Sequence, residues 1–555
     1  MQKSHPDQTT KWLYLFIGCA ILLNFSGLFV TIMGPDAALY ASIAKQMVLN
    51  HNYVELFVQG KDWLDKPHFP FWITALFFEA FGVSTWVYKL PGILSVLLAA
   101  GYTYKLAKVC YNEKIALWSA LILLTAQHIL ICTMDVRAEP FLTGLIIAAV
   151  YHFYRALNPK WFLQLLAASA FAACAVMTKG IFALIPIGGA IATELLVKKD
   201  WVRVFSFRWV IAIILILIFI LPELYSLYLQ FDLHPEKVVF GHQHVSGIRF
   251  FFWDSQFGRF FNNGPIKKSS GDPAFFLHTI LWAYLPWSLV LYTAIYQFFR
   301  QHFRKPAGAE WLCIGGSLLT LLVFSLSKFQ LPFYITIVFP FFSILCAQYL
   351  YGLKQESSIR GIRVTQYLLS GLMVTAICLL HFFFRPPVNT ILTLIILVIP
   401  FLLGVLLSRS GLPSRVGVLL QCCCCVFFVN LYFNLAYYPQ LLKYQADSEA
   451  AFWINTHNPR KLPSVQTRTG FGFPFEFYVS TPVCFLDTAG MTPLPVKPYL
   501  LYADQSLVEQ YLKQGIRLRR LKTFEDYRIT RLKGRFLNSG TRKETLSSTV
   551  VVLVY

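Results

Sequence analysis

Asp36 stands three residues beyond Met33, the last apolar residue of the first hydrophobic stretch, in the segment GPDAALYASIA. The loop that it opens closes on WLDKPHFPFW, with Asp65 and Lys66 just ahead of more apolar sequence. An unpaired charge at hydrocarbon depth costs roughly 2.5 to 3.5 kcal/mol even on a lenient insertion scale, so charges kept at a bilayer edge need a task or a partner. Apolar residues recur at helical spacing over DAALYASIAKQMV, so Asp36 is expected to cap or enter an amphipathic helix lying on the membrane surface.

Three further segments carry similar groups. The connection TMDVRAEPFL places Asp135, Arg137 and Glu139 in a turn that needs only to reverse direction, and this density implies an ionic cluster. FGHQHVSGIRFFFWDSQFGRFFNN contains His242, His244, Asp254 and Arg259; a His-x-His pair can present two imidazoles to a metal, although no flanking carboxylate fixes the geometry. In FSLSKFQLPFYITIVFP, Lys328 at a span end could snorkel to the interface or bind phosphate.

The elements that position these groups are set by composition. Of 555 residues, 56% are apolar and 14% charged, with mean hydropathy +0.56, which excludes a water-soluble globule and indicates a polytopic membrane protein. Runs such as IAIILILIFIL (211–221) are apolar on every face, unlike the alternating strands of a membrane barrel. The sequence predicts an all-α protein with about thirteen spans: 12–33, 86–108, 115–133, 140–156, 161–178, 180–197, 208–230, 275–298, 310–327, 332–351, 365–384, 388–408 and 414–436. PFWITALFFEAFG (70–82) is too short to cross and is read as a juxtamembrane or re-entrant helix.

Charge tests that choice. With the N-terminus in the cytoplasm, every alternate connection is basic: Lys105, Lys108 and Lys114; Arg155 and Lys160; Lys198, Lys199, Arg203 and Arg208; Arg300, Arg304 and Lys305; Lys354, Arg360 and Arg363; Arg409 and Arg415. The net charge of +21 is thus first a matter of membrane topology and not of nucleic acid. The N-terminus reads as an uncleaved signal anchor. The outer face receives the long loops 34–69 and 231–274, the short turns 134–139 and 327–331, and everything after about residue 437. The chain therefore divides into a membrane domain, 1–436, and a soluble extracytoplasmic α/β domain, 437–555. In the latter QADSEAAFWINTH and QSLVEQYLKQG read as helices, and YLLYAD and TVVVLVY as strands. Its basic segments IRLRRLK and RLKGRF are either a solvated strand face or a surface for anionic headgroups or substrate. Of twelve cysteines only Cys484 falls there, so no disulfide framework is expected, and the run Cys422 to Cys425 points around a helix as small packing residues.

The set PDAALYASIA, WLDKPHFPFW, VRAEPFL, FFFWDSQFGRF followed by LPWS, and FSLSKFQLPFYITIVFP resembles bacterial membrane glycosyltransferases of the GT-C architecture, in the branch of lipid A aminoarabinose transferases and bacterial relatives of protein O-mannosyltransferases. The resemblance covers roughly residues 12–350. It implies transfer of a sugar from a polyprenyl-phosphate donor to a lipid A-like glycan or protein acceptor outside the cytoplasmic (inner) membrane. On these matches Asp36 is the first-loop carboxylate and the first choice of base for an acceptor hydroxyl, with Glu139 and Asp135 as the other catalytic candidates. Lys66, Arg137, Arg259 and Lys328 would bind the donor phosphate, and Asp254 is the acidic partner of Arg259. Displacement by one base predicts inversion. A divalent ion could instead, or in addition, sit on Asp65 with His242 or His244. Two departures stand out: Gln330 occupies the place of a lysine before Leu-Pro, and KKSSGDPAFF has Asp272 but no histidine. A lipid-linked glycan flippase or transporter, and a non-catalytic scaffold, are the competing readings; the former would want ionisable residues deep in spans and internal repeats, which the chain lacks.

Overall fold

The computed structural model describes residues 8–266, 271–303, 308–467, 472–486 and 494–555. Arg304 and Lys305, counted above in a basic connection, lie outside these described residues, as does most of KKSSG. Among the described residues, seven helices are long and apolar enough to cross a membrane: Thr85–Cys110, Phe162–Lys179, Trp201–Phe219, Pro332–Gly352, Glu356–Phe384, Thr390–Ser408 and Ser414–Tyr444. An eighth is added if Glu113–Leu124 and Gln127–Met134, bent by 55° to one another, are one span. Of the other expected spans, Gln8–Phe25 and Ala138–Ala156 form helices of 18 and 19 residues outside that set, and Ile181–Val197 and Leu312–Leu326 are shorter apolar helices.

The bent pair has a local cause. Thr125 turns its hydroxyl back onto Leu121 O (2.7 Å), Ala126 is extended, and the Gln127 N–H is taken by Leu285 O (3.0 Å) from another helical pair. Trp287 donates its indole N–H to Thr125 Oγ1 (3.1 Å). The Leu285–Pro286–Trp287 segment thus holds the break open, and the second half-helix ends at Met134, delivering Asp135 to the end of the bundle.

Residues after Ser464 form a five-stranded sheet in the order Val483–Phe485, Ser464–Gln466, Tyr499–Asp504, Ser547–Val554, Leu518–Asp526. The first three strands are parallel and the last two pairings antiparallel. Alternate residues face opposite sides, so Leu500, Tyr502 and Val551 pack against Ala446–His457 and Phe473–Tyr478, while Leu501, Val550 and Val552 pack against Val508 of Gln505–Lys513. The basic run around Arg519, Arg520 and Lys522 lies on the solvated edge strand.

The helix expected on the membrane surface is a correction. Asp36–Leu49 forms, but nine of its residues from Ala37 to Met47 are buried. The C-terminal Phe473–Tyr478 helix packs on it, and Phe69–Phe81 lies alongside. Lys45 donates to the carbonyls of Glu476 (2.8 Å), Phe477 (2.9 Å) and Val479 (2.8 Å), satisfying the end of that short helix. Ser42 donates to Phe473 O, the Ile32 N–H donates to Tyr478 Oη, and the Gly34 N–H donates to Gln445 Oε1. The sheet domain is therefore fastened to the segment that leads into Asp36.

Glu476 sits inside this interface, almost wholly buried. Oε1 accepts from Gln46 and from the Gln59 N–H, and Oε2 has no partner among the described residues. Burial pushes its carboxyl up to about 7, while burial brings the Lys45 ammonium down to about 8 against the pull of Glu476. The docked state therefore holds a proton on Glu476 that a freed domain gives up at ordinary carboxylate pH. That contribution is complete below about pH 4.5 and is lost as pH rises through 7, whereas Lys45 adds nothing until pH passes about 8. Thermal melting in detergent at pH 5.5 and 7.5 checks this: the wild type is expected to lose stability between the two, and Glu476→Gln to flatten the difference.

Candidate active site

Arg137 is the centre of the charged cluster. Its guanidinium donates to Asp135 Oδ2 through Nη2 (2.7 Å) and Nε (3.0 Å), and to Asp36 Oδ2 through Nη1 (2.5 Å). The ring of Phe333 lies beneath it, 4.3 Å away. Asp135 is buried with Oδ1 unpartnered among the described residues, so burial pushes its carboxyl up and Arg137 pulls it back. Asp36 instead keeps half of its side chain exposed, at 51%. Asp135 is thus a support for Arg137, and Asp36 is the carboxylate a ligand can reach.

Glu139, two residues beyond Arg137, turns to a different cation. It accepts from Lys179 Nζ at 2.5 Å, and Lys179 lies 3.7 Å over the Tyr334 ring. Lys179 was missed in the sequence because it is the only residue between two expected spans. The signal existed: a lysine standing alone between two apolar runs, on the face that carries the other charged loops. Gly180 makes the placement possible. Its φ is +91°, and a Cβ there would run into the Gln256 carboxamide, which donates to Lys179 O (3.1 Å) and Ser255 Oγ (2.8 Å).

Asp65 holds the third set, accepting from Lys66 Nζ (2.7 Å) and from Arg259 Nη2. Burial lowers the Lys66 ammonium, while Tyr334, Glu139 and Asp36 offset part of that loss, which places all three within electrostatic reach of it. The motif is braced behind by a second missed residue. Glu223 accepts from the His68 N–H (2.9 Å) and pairs with His68 Nδ1 (3.0 Å), while His68 Nε2 meets Val54 O (2.9 Å).

Lys179, Arg259 and Tyr334 line one cleft of about 680 Å³ together with Gln256 and the apolar or aromatic side chains of Leu142, Phe182, Phe260, Phe324, Phe329 and Ile337. An apolar trough with two cations suits an anion carried on a hydrocarbon chain.

Other expected residues are not brought here. Asp254 does not pair with Arg259: the chain between them turns through Phe250–Asp254 and Phe257–Phe261, leaving Asp254 3.7 Å from the exposed Arg249. Lys328 is exposed and its backbone N–H is tied to Phe260 O (3.0 Å), while its neighbours Ser327 and Phe329 line the cleft. Gln330 is buried and binds the Asp272 N–H and carbonyl, so it anchors the loop instead of offering a charge. The metal donor set does not fit a metal. Asp65 is occupied by two cations, His242 and His244 are exposed in their loop, and among the described residues no three His, Cys, Asp or Glu side chains are grouped to hold an ion.

Residues 65–225 match the family model described as dolichyl-phosphate-mannose-protein mannosyltransferase. Over nearly its whole length, 98% of each chain, the structure superposes on the crystal structure of ArnT from Cupriavidus metallidurans bound to undecaprenyl phosphate, with a TM-score of 0.74 at 18% identity. The chain has the GT-C fold. The resemblance to aminoarabinose transferases read in its motifs is borne out by curated relatives. The undecaprenyl phosphate-alpha-4-amino-4-deoxy-L-arabinose arabinosyl transferase of Erwinia tasmaniensis is 26% identical over 325 residues, 58% of this chain and 55% of the relative. That of Edwardsiella ictaluri is 25% identical over 333 residues, 58% and 56%. The matched region spans a little over half the length of these relatives.

The Gly180 lock gives a test of the local geometry. Gly180→Ala is expected to cost about 1 to 3 kcal/mol through its left-handed backbone and the displaced Gln256, and to lower the melting midpoint in detergent. Gly188→Ala is the control, since a Cβ there meets nothing within 4 Å, and should leave the midpoint unchanged or raised.

Proposed function

We propose that this chain is a glycosyltransferase of the bacterial inner membrane that moves a sugar from a polyprenyl-phosphate donor to a lipid A-like glycan or protein acceptor. The observation that carries the reading is the apolar cleft ending in Lys179, Arg259 and Tyr334, with the half-exposed Asp36 carboxylate in the adjoining charge cluster. The relatives' printed names, which specify an undecaprenyl-phosphate aminoarabinose, support the same donor class and favour an aminopentose. In this reading about thirteen helices cross the bilayer, the N-terminus is cytoplasmic, and residues 437–555 lie outside with the site.

The chemistry follows from the placements. The acceptor hydroxyl attacks the anomeric carbon as the bond from that carbon to the phosphate oxygen breaks, and the electron pair leaves with the lipid phosphate. Asp36, held in orientation by Arg137, takes the hydroxyl proton. Arg259, Lys66 and Lys179 stabilise the departing phosphate, a role that suits fixed cations in a water-poor cleft. Without donor, Asp65 neutralises Arg259 and Lys66; a bound phosphate must share or displace it. One displacement inverts the anomeric centre. The flippase reading gains no support from the paired charges of the site, because Asp36, Lys66, Arg137, Glu139, Lys179 and Arg259 gather at one end of the bundle.

Two substitutions separate the roles. In membranes supplied with labelled undecaprenyl-phosphate aminopentose, Asp36→Asn is expected to lower kcat by about 100-fold or more with donor KM little changed. Arg259→Gln should chiefly raise donor KM, by roughly 10-fold or more, as loss of a charge-assisted contact. Normal transfer by Asp36→Asn sinks the base assignment. Normal transfer by both variants and by Lys66→Ala sinks the site.

A further inference from the structure

The segment RLKGRF has no part in the cluster or the cleft, yet its position is tightly specified. The helix Glu356–Phe384 ends in carbonyls that its own turns cannot satisfy. The C-terminal domain takes them: the Ser539 N–H donates to Phe383 O (2.9 Å) and Arg542 Nη2 to Phe384 O (2.7 Å), with the Arg542 guanidinium 4.1 Å over the Phe384 ring. Arg385 turns back to Phe382 O (3.3 Å). The short helix Gly534–Leu537 packs on the same helix end. Just below it the helix presents Leu379 and Phe382 outward, 54% and 61% exposed, as a lipid-facing surface does.

At that boundary the domain displays Arg531, Lys533, Arg535 and Lys543, all exposed, beside Arg385 on the helix itself. Glu544, paired with Arg535 at 2.6 Å, is the acidic side chain bonded to this group. Between Arg531 and Lys533 stands Leu532, an apolar side chain left 40% exposed. Cations flanking an exposed leucine, at the level where an apolar helix leaves the bilayer, have the composition of an interfacial contact.

We propose that the strip from Arg531 to Arg535, with Arg385 and Lys543, rests on the anionic headgroups of the leaflet it faces, with Leu532 entering the interface. The partner is the bilayer surface itself, chosen by charge and by continuity with the lipid-facing end of Glu356–Phe384. This contact is independent of the proposed transfer reaction, since none of these residues lines the cleft or pairs with Asp36, Asp65, Asp135 or Glu139. It would hold the sheet domain level against the membrane and so keep the interface over Asp36–Leu49 closed.

The test uses the full chain in nanodiscs of phosphatidylcholine alone and of phosphatidylcholine with phosphatidylglycerol. Hydrogen exchange of the amides from Thr530 to Arg535 is expected to slow several-fold in the anionic discs, each cation near such a surface being worth roughly five-fold in association. The slowing should fade at high salt and be lost in Arg531→Gln/Lys533→Gln/Arg535→Gln. Unchanged exchange in the strand Ser547–Val554 shows that this variant keeps its fold. Equal exchange in the two lipid compositions, or protection retained by the triple variant, overturns the proposal. Slowing produced by inorganic phosphate in neutral discs also overturns it, by assigning the strip to a soluble anion.

Discussion

Ionised side chains at the end of a helical bundle survive desolvation only in the company of opposite charge, and here that requirement ties distant parts of the chain together. Arg137 joins the turn after Met134 to the start of Asp36–Leu49, Lys179 joins the end of Phe162–Lys179 to the start of Ala138–Ala156, and Arg259 joins the 231–274 loop to Asp65. Removing one partner leaves the other as a buried orphan, which is costlier than losing the pair. The same contacts that make the bundle end stable therefore fix the positions of Asp36, Lys66 and Arg259 relative to one another.

The aromatic residues do the remaining work of placement. Phe333 underlies Arg137, Tyr334 underlies Lys179 and Phe329 lies 5.6 Å from the Arg259 guanidinium. All three come from one stretch, FQLPFY, which Gln330 anchors through Asp272 and the carbonyls of Phe324 and Ser325. A ring face attracts a cation without neutralising it. A cation held by a ring face keeps its capacity for an anionic ligand, whereas a carboxylate partner competes with that ligand. Gln330 in place of a lysine is consistent with this division: the stretch supplies ring faces and a firm anchor, and the charge arrives from Lys179 and Arg259 on other elements.

The helical fold, the charged loops and, in the C-terminal domain, the helices Ala446–His457 and Gln505–Lys513 and the strands Tyr499–Asp504 and Ser547–Val554 were legible in the sequence because each is a local pattern: apolar length, charge density, alternation. Asp36, Lys66, Arg137, Glu139 and Arg259 were legible for the same reason, as ionised groups beside apolar runs. Partnership was not. Asp254 lies five residues before Arg259, but the intervening turns send the two side chains apart, and Asp65, far away in sequence, takes the arginine. The His242 and His244 pair had the right spacing for a metal, and among the described residues no third donor joins it. Lys179 was hidden by brevity, since a one-residue connection offers no pattern to read. Asp36–Leu49 was read as a surface helix because its covering comes from Phe473–Tyr478, more than four hundred residues on.

That covering changes how the two halves of the chain relate. The family match ends at residue 225, and sequence similarity to the curated relatives covers 58% of the chain, whereas the fold match to ArnT covers 98%. A soluble domain tethered by a linker could drift in sequence and position without touching the site. This one cannot, because Gln445 bonds both the Ile32 carbonyl and the Gly34 N–H, and Pro474 leaves no room for a side chain at Gly34. The segment from Ile32 to Pro35 is thereby set from above by the sheet domain, while Lys89 grips the turn before it from inside the bundle, through the carbonyls of Gly27 (2.9 Å) and Val30 (2.6 Å). Asp36 begins its helix directly after this doubly held segment and has no capping bond of its own. Its position is a consequence of both domains, so the sheet domain belongs to the architecture of the site even though the residues proposed for chemistry all come from the helical part.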